Sequence, residues 1–70
     1  MNTIYTIVRN ESNEVMFTTN DFEIVKKYVK NHFPKYEIND KYNMIVLYSK
    51  NFTFNKTELN YSVFDGEYYE

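Results

Sequence analysis

The sequence has no cysteine, no tryptophan and no alanine, and only one glycine, one proline, one histidine and one arginine. Each absence excludes something. Without cysteine there is no disulfide framework and no thiolate ligand, and with a single histidine a transition-metal site is not expected. One glycine, at position 66, cannot build a glycine-rich phosphate-binding loop. The longest apolar run, MIVLY from Met44 to Tyr48, has the length of a strand and is far too short to span a bilayer. MNTIYTIVRN lacks the basic and apolar regions of a signal peptide. These features predict a cytoplasmic protein with no membrane segment and no cofactor.

What the chain has in their place is aromatic. Eight tyrosines and six phenylalanines must supply most of the core of a 70-residue single domain, near the lower size limit for folding without disulfides or metal. Asn, Lys, Ile, Tyr, Phe and Met make up most of the chain, whereas Gly, Ala, Arg and Pro contribute three residues. That is the signature of AT-rich codons. It also devalues the N-x-S/T matches at Asn10, Asn51, Asn55 and Asn60, which follow from the asparagine excess.

One stretch reads as a helix with a start and a stop. In NDFEIVKKYVKNHFP, Asn20 is the expected cap, Glu23 completes a capping box, and Pro34 drives Phe33 out of the helical region. Phe22, Val25, Tyr28, Val29, His32 and Phe33 fall on one side with Ile24 at the margin; Glu23, Lys26, Lys27, Lys30 and Asn31 fall on the other. The rest reads as strands. Thr3–Arg9 and Val15–Thr19 flank the polar cluster NESNE and predict a hairpin leading into the helix. After Pro34 come KYEIN, a turn at NDKYN, and MIVLYS, whose near-continuous apolar content predicts the most buried strand. FTF follows, with a loop expected at Asn55-Lys56, then LNYSVF, a turn at Asp65-Gly66 and an acidic tail over 65–70. The fold class expected is α+β: an antiparallel sheet of four to six strands with one helix, about 20–33, on one face, in the order ββα and then three or four strands. The face away from the helix is expected to carry several tyrosines and phenylalanines.

No constellation for catalysis is present. His32 reads as a residue at the core edge or as a partner of the last helical carbonyls, and no nucleophile is placed beside it by the sequence. Charge is more informative. Residues 1–25 carry an acidic excess, 26–56 hold all seven lysines against Glu37 and Asp40, and 57–70 contain Glu58, Asp65, Glu67 and Glu70 with no base. Two surfaces follow. An acidic one, Glu11, Glu14, Glu58, Asp65, Glu67 and Glu70 with Tyr61, Tyr68 and Tyr69, suits a basic protein partner. The alternative is single-stranded nucleic acid on Lys26, Lys27 and Lys30 with exposed aromatics; one arginine and a negative net charge count against it. A third possibility is a structural or assembly protein that oligomerises through its sheet.

The run IYTIVRNESNEVMFTTNDFEIVKKYVKNHFPKYEI, with the size and the Asn/Lys/Tyr/Phe bias, resembles the small accessory proteins of AT-rich phages of Bacillus-like hosts. The resemblance carries no diagnostic motif and transfers no residue. It implies a host-takeover factor: a non-enzymatic inhibitor in the cytoplasm of a bacterial host, occupying the working surface of a host protein, in some cases by imitating DNA. A basic DNA-binding or nucleoid-associated protein is the partner class it implies.

Overall fold

The hairpin at the start of the chain forms because two β-rich segments are separated by four polar residues, the last of which can turn left-handed. Strand β1 (Asn2–Arg9) and strand β2 (Glu14–Thr19) pair antiparallel. Asn13, at φ 60°, donates its backbone N–H to the Arg9 carbonyl at 2.8 Å and closes the turn. Asparagine tolerates that conformation better than other residues with a side chain, which matters in a chain with one glycine. The pairing slips once, between Ile7 and Val8, which stand opposite Phe17 and Val15; Met16 is the extra residue of a β-bulge.

The structure is a computed structural model that describes residues 2–59. Its remaining elements are helix α1 (Phe22–His32), strand β3 (Tyr36–Asn39), strand β4 (Met44–Leu47) and strand β5 (Phe52–Leu59). The α+β class and the order ββα followed by strands are as expected. The strands divide into two antiparallel sheets: three strands in the order β2-β1-β5, and a two-stranded ribbon, β3-β4. The LNYSVF strand beyond Leu59, the Asp65-Gly66 turn and the 65–70 tail lie outside the described residues.

Two features differ from expectation, the first for a local reason and the second for a long-range one. The helix is capped by Asp21, not Asn20: the Asp21 carboxylate accepts from Glu23 N–H at 2.9 Å, and Thr19 Oγ1 accepts from Asp21 N–H at 3.1 Å. A carboxylate both caps and complements the helix dipole, so the neutral Asn20 is passed over and the capping box does not form. The stop is as expected, with Phe33 extended at φ −125° and ψ 136° before Pro34. The expected loop at Asn55-Lys56 is absent. β5 runs straight through, because each of its eight residues has a partner on β1, from Phe52 opposite Arg9 to Leu59 opposite Asn2. The long antiparallel ladder overrides the weak local turn preference of Asn-Lys.

The core follows from the register. Ile7 stands opposite both Phe17 and Phe54, so these three form one row across the sheet, facing Val25 and Val29 of the helix. Tyr5, Phe22 and Ile45 complete the buried set, and Ile7, Val25 and Val29 have no exposed surface. The other face of the three-stranded sheet carries Ile4, Thr6, Val8, Val15, Thr18, Thr53, Asn55 and Thr57. Among the described residues this face of the three-stranded sheet carries no aromatic, against expectation: Tyr5, Phe17, Phe52 and Phe54 lie on the helix side with Ile7, where they fill the core.

Truncating Ile7→Ala removes buried methyls from the centre of this row and should destabilise the protein by about 2–5 kcal/mol. Val15→Ala, on the open face, should change stability by less than ~0.5 kcal/mol. Urea unfolding of the two variants checks the contrast, and equal effects would show that the row is not the core.

Candidate functional site

The ribbon puts two different surfaces on one pair of short strands. Tyr36 stands opposite Leu47 and Ile38 opposite Ile45, and these four point into the core. Glu37 stands opposite Val46 and Asn39 opposite Met44, and these point outward. The outer side of β4 is apolar. Met44 is 40% exposed, Val46 50% and Tyr48 48%, and Tyr42, in the preceding turn, is 59% exposed. MIVLYS is thus not the most buried strand. Only Ile45 of it is buried; the single helix packs from one side, and nothing among the described residues covers the other. The continuous run was the available signal, since a chain with one helix cannot enclose an apolar strand on both faces. Beside this stripe lies a shallow hollow of about 430 Å³ lined by Glu37, Ile38, Asn39, Asp40, Met44 and Val46.

The turn carrying Tyr42 is anchored at several points, so the ribbon is held firmly. Asn43, at φ 53°, donates from Nδ2 to the hydroxyl of the buried Tyr5 at 3.3 Å. Tyr42 N–H donates to Asn39 Oδ1, and Tyr42 C=O accepts from Lys56 Nζ at 2.7 Å. From the helix, Lys26 Nζ reaches Asp40 at 2.6 Å and Glu23 at 3.1 Å. At the opposite end, Asn10 ties the first hairpin to the β4–β5 connection: its backbone N–H donates to Asn51 C=O, its side chain donates to Lys50 C=O, and its Oδ1 accepts from Thr53 Oγ1.

The residues proposed from sequence are distributed as follows. Glu11 and Glu14 sit at the β1–β2 turn, where Glu14 pairs with Arg9 at 3.6 Å. Glu58 stands opposite Thr3 and lies 3.9 Å from Lys56. Arg9 and Thr3 are six residues apart on β1, roughly 20 Å at about 3.3 Å per residue, so Glu58 is at the other end of the sheet from Glu11 and Glu14. The structure does not bring these three carboxylates together. Tyr61, Asp65, Glu67, Tyr68, Tyr69 and Glu70 lie outside the described residues. The described residues carry eight basic groups against seven acidic ones, so the acid excess of the chain resides in 60–70.

The lysine face is also divided. Lys27 and Lys30 are exposed, but Lys26 is a strut between helix and turn, with a side chain only 16% exposed and its ammonium 5.6 Å from the Phe22 ring centroid. A helical wheel cannot show that Asp40 comes within reach. His32 accords with the reading of a helix-end residue: its Nδ1 lies 3.0 Å from Tyr28 C=O, and its ring stacks on Tyr28, which stacks on Phe17.

Electrostatics at the ribbon give a pH signature. The hydrogen bond from Lys26 to Asp40, with a second to Glu23, pushes the ammonium above its ordinary 10.5. Glu37 raises the Tyr48 phenol above its ordinary 10.0, and burial adds to this. Both folded values exceed the unfolded ones, so both contributions are complete below the unfolded values and are lost as pH rises through the folded ones. The thermal midpoint should fall between about pH 9 and pH 12, and Lys26→Met should flatten that fall. An unchanged alkaline slope in Lys26→Met, measured by circular dichroism, would refute the strut.

No helix among the described residues is long and apolar enough to cross a membrane. No protein-family model, no curated protein and no solved structure matches the chain.

Proposed function

We propose that this protein is a non-enzymatic binding protein that acts by occupying the surface of another protein, with the outer face of the β3–β4 ribbon as its contact. The observation that carries this reading is the exposed apolar row Met44, Val46 and Tyr48, with Tyr42 exposed in the adjoining turn, on a ribbon braced from three sides. Exposed single apolar residues are ordinary; three at alternate positions on one face, with an exposed tyrosine in the adjoining turn, have the composition of an interface centre. The resemblance to accessory phage proteins supports a host protein as the partner and inhibition as the outcome. The acid excess beyond Leu59 favours a basic partner, and a host DNA-binding or nucleoid-associated protein is the class proposed. Direct nucleic-acid binding has less support, because Lys26 is engaged and Tyr5, Phe17 and Phe54 face inward.

Affinity capture from a Bacillus-like host lysate tests the reading. Met44→Lys with Val46→Lys should reduce capture of the specific partner at least tenfold, about 1.4 kcal/mol or more, while Val15→Lys and Ile24→Lys, at exposed apolar sites elsewhere, leave it unchanged. Equal capture by all variants would place the contact elsewhere. Loss on Glu67→Lys with Glu70→Lys would add the basic character of the partner; no loss would remove it.

A further inference from the structure

We propose that the edge of β3 that is unpaired among the described residues pairs with β3 of a second copy of this chain, antiparallel about a two-fold axis at Tyr36, to form a continuous four-stranded sheet β4-β3-β3-β4. The inference stands apart from the ribbon-face reading, since it uses the strand's edge and not its face.

The hydrogen-bond alternation shows which groups are free. Tyr48 N–H donates to Lys35 C=O at 3.1 Å, so Lys35 and Tyr48 extend the β3–β4 ladder as a hydrogen-bonded pair. In an antiparallel ladder such pairs alternate with non-bonded ones. Glu37 and Asn39 therefore bond to β4, while the N–H and C=O of Tyr36 and Ile38 point to the other side. β3 is the end strand of its ribbon, and among the described residues no other backbone or side-chain group bonds those of Tyr36 and Ile38.

The other edges are protected. β2 is broken by its bulge, and β4 and β5 face one another across a slot of about 250 Å³ that includes Leu47 and Phe52. β3 has no bulge, proline or left-handed residue within it.

Charge selects the occupant and the register. With the axis at Tyr36, Lys35 of each copy stands opposite Glu37 of the other, giving two ion pairs around the central Tyr36–Tyr36 pair. The central Tyr36–Tyr36 pair exchanges two backbone bonds, and the chain bends out of the strand at Pro34 and Lys35. One step along, with the axis at Glu37, the two carboxylates would face each other directly. A further step, with the axis at Ile38, sets Lys35 against Lys41. Like charges directly opposite are destabilising. The edge is self-complementary in one register and self-repelling in the next two.

Sedimentation equilibrium of the full chain, up to about 1 mM, tests the proposal. A monomer–dimer equilibrium is expected. Glu37→Lys places lysines opposite one another at both flanking positions and should raise the dissociation constant at least tenfold. Combining Lys35→Glu with Glu37→Lys restores opposite charges and should recover dimerisation. Amide hydrogen exchange of the unaltered protein supplies an independent readout: protection at Tyr36 should rise with concentration, and protection at Glu37 should not. A monomer at all concentrations, a dimer indifferent to Glu37→Lys, a charge swap that fails to recover it, or no protection gained at Tyr36 would each overturn the proposal.

Discussion

The row Phe17–Ile7–Phe54 is the contact on which the rest of this structure depends. It joins three strands side by side and receives Val25 and Val29 from the helix. Fully burying one such aliphatic or aromatic side chain contributes roughly 1.5–3 kcal/mol, and a domain of this size has a margin of only about 0.05–0.15 kcal/mol per residue. A few side chains therefore decide whether the chain folds. Because strand side chains alternate, putting Ile7 inward also sends Ile4, Thr6 and Val8 to the other face, and pairing carries Thr18, Thr53, Asn55 and Thr57 with them. The threonine-rich open face is a consequence of the core row, not a separate feature.

A helix of eleven residues covers little more than that row. The ribbon extends the core with Ile38, Ile45 and Leu47, and none of the described residues covers its back. Its position is maintained by polar contacts: Asn43 on the Tyr5 hydroxyl, Lys56 on the Tyr42 carbonyl, Lys26 on Asp40. Each joins the same turn to a different element, β1, β5 and the helix respectively. An exposed stripe can serve recognition only if its geometry is defined before contact, since ordering it on binding would consume much of the gain. The anchored turn supplies that definition.

How much of this was legible in the sequence depended on whether local or distant residues decided the matter. The first hairpin, the helix stop at Phe33 and the NDKYN turn are set by neighbouring residues, and all three were readable. The cap was misplaced by one residue because Asn20 and Asp21 both have suitable side chains; the charge of the Asp21 carboxylate and the Thr19 contact favour Asp21. The continuity of β5 through Asn55-Lys56 depends on β1, fifty residues away in sequence, and no local signal records it. The exposure of Met44, Val46 and Tyr48 was obscured by the habit of reading a continuous apolar run as buried on both faces. The acidic site was assembled from residues near the two ends of the chain, but antiparallel pairing of β1 with β5 sends Glu58 to the end of the sheet opposite Glu11 and Glu14.

The same geometry separates the two kinds of surface that recognition requires. The described body is nearly neutral, and most of its carboxylates already have work within it: Glu14 on Arg9, Asp21 at the helix cap, Glu23 and Asp40 on Lys26, Glu58 beside Lys56. A carboxylate paired within its own chain loses that partner when it engages another, so its net contribution to binding is small. Apolar groups in water carry no such competing attachment. Met44 and Val46 gain by being covered whatever the ionic state around them, whereas the rings of Tyr42 and Tyr48 already have the ammonium groups of Lys41 and Lys35 over them. Contact strength in this protein should therefore come from the ribbon, and electrostatic preference from the acids beyond Leu59, where the chain carries acidic residues and no base.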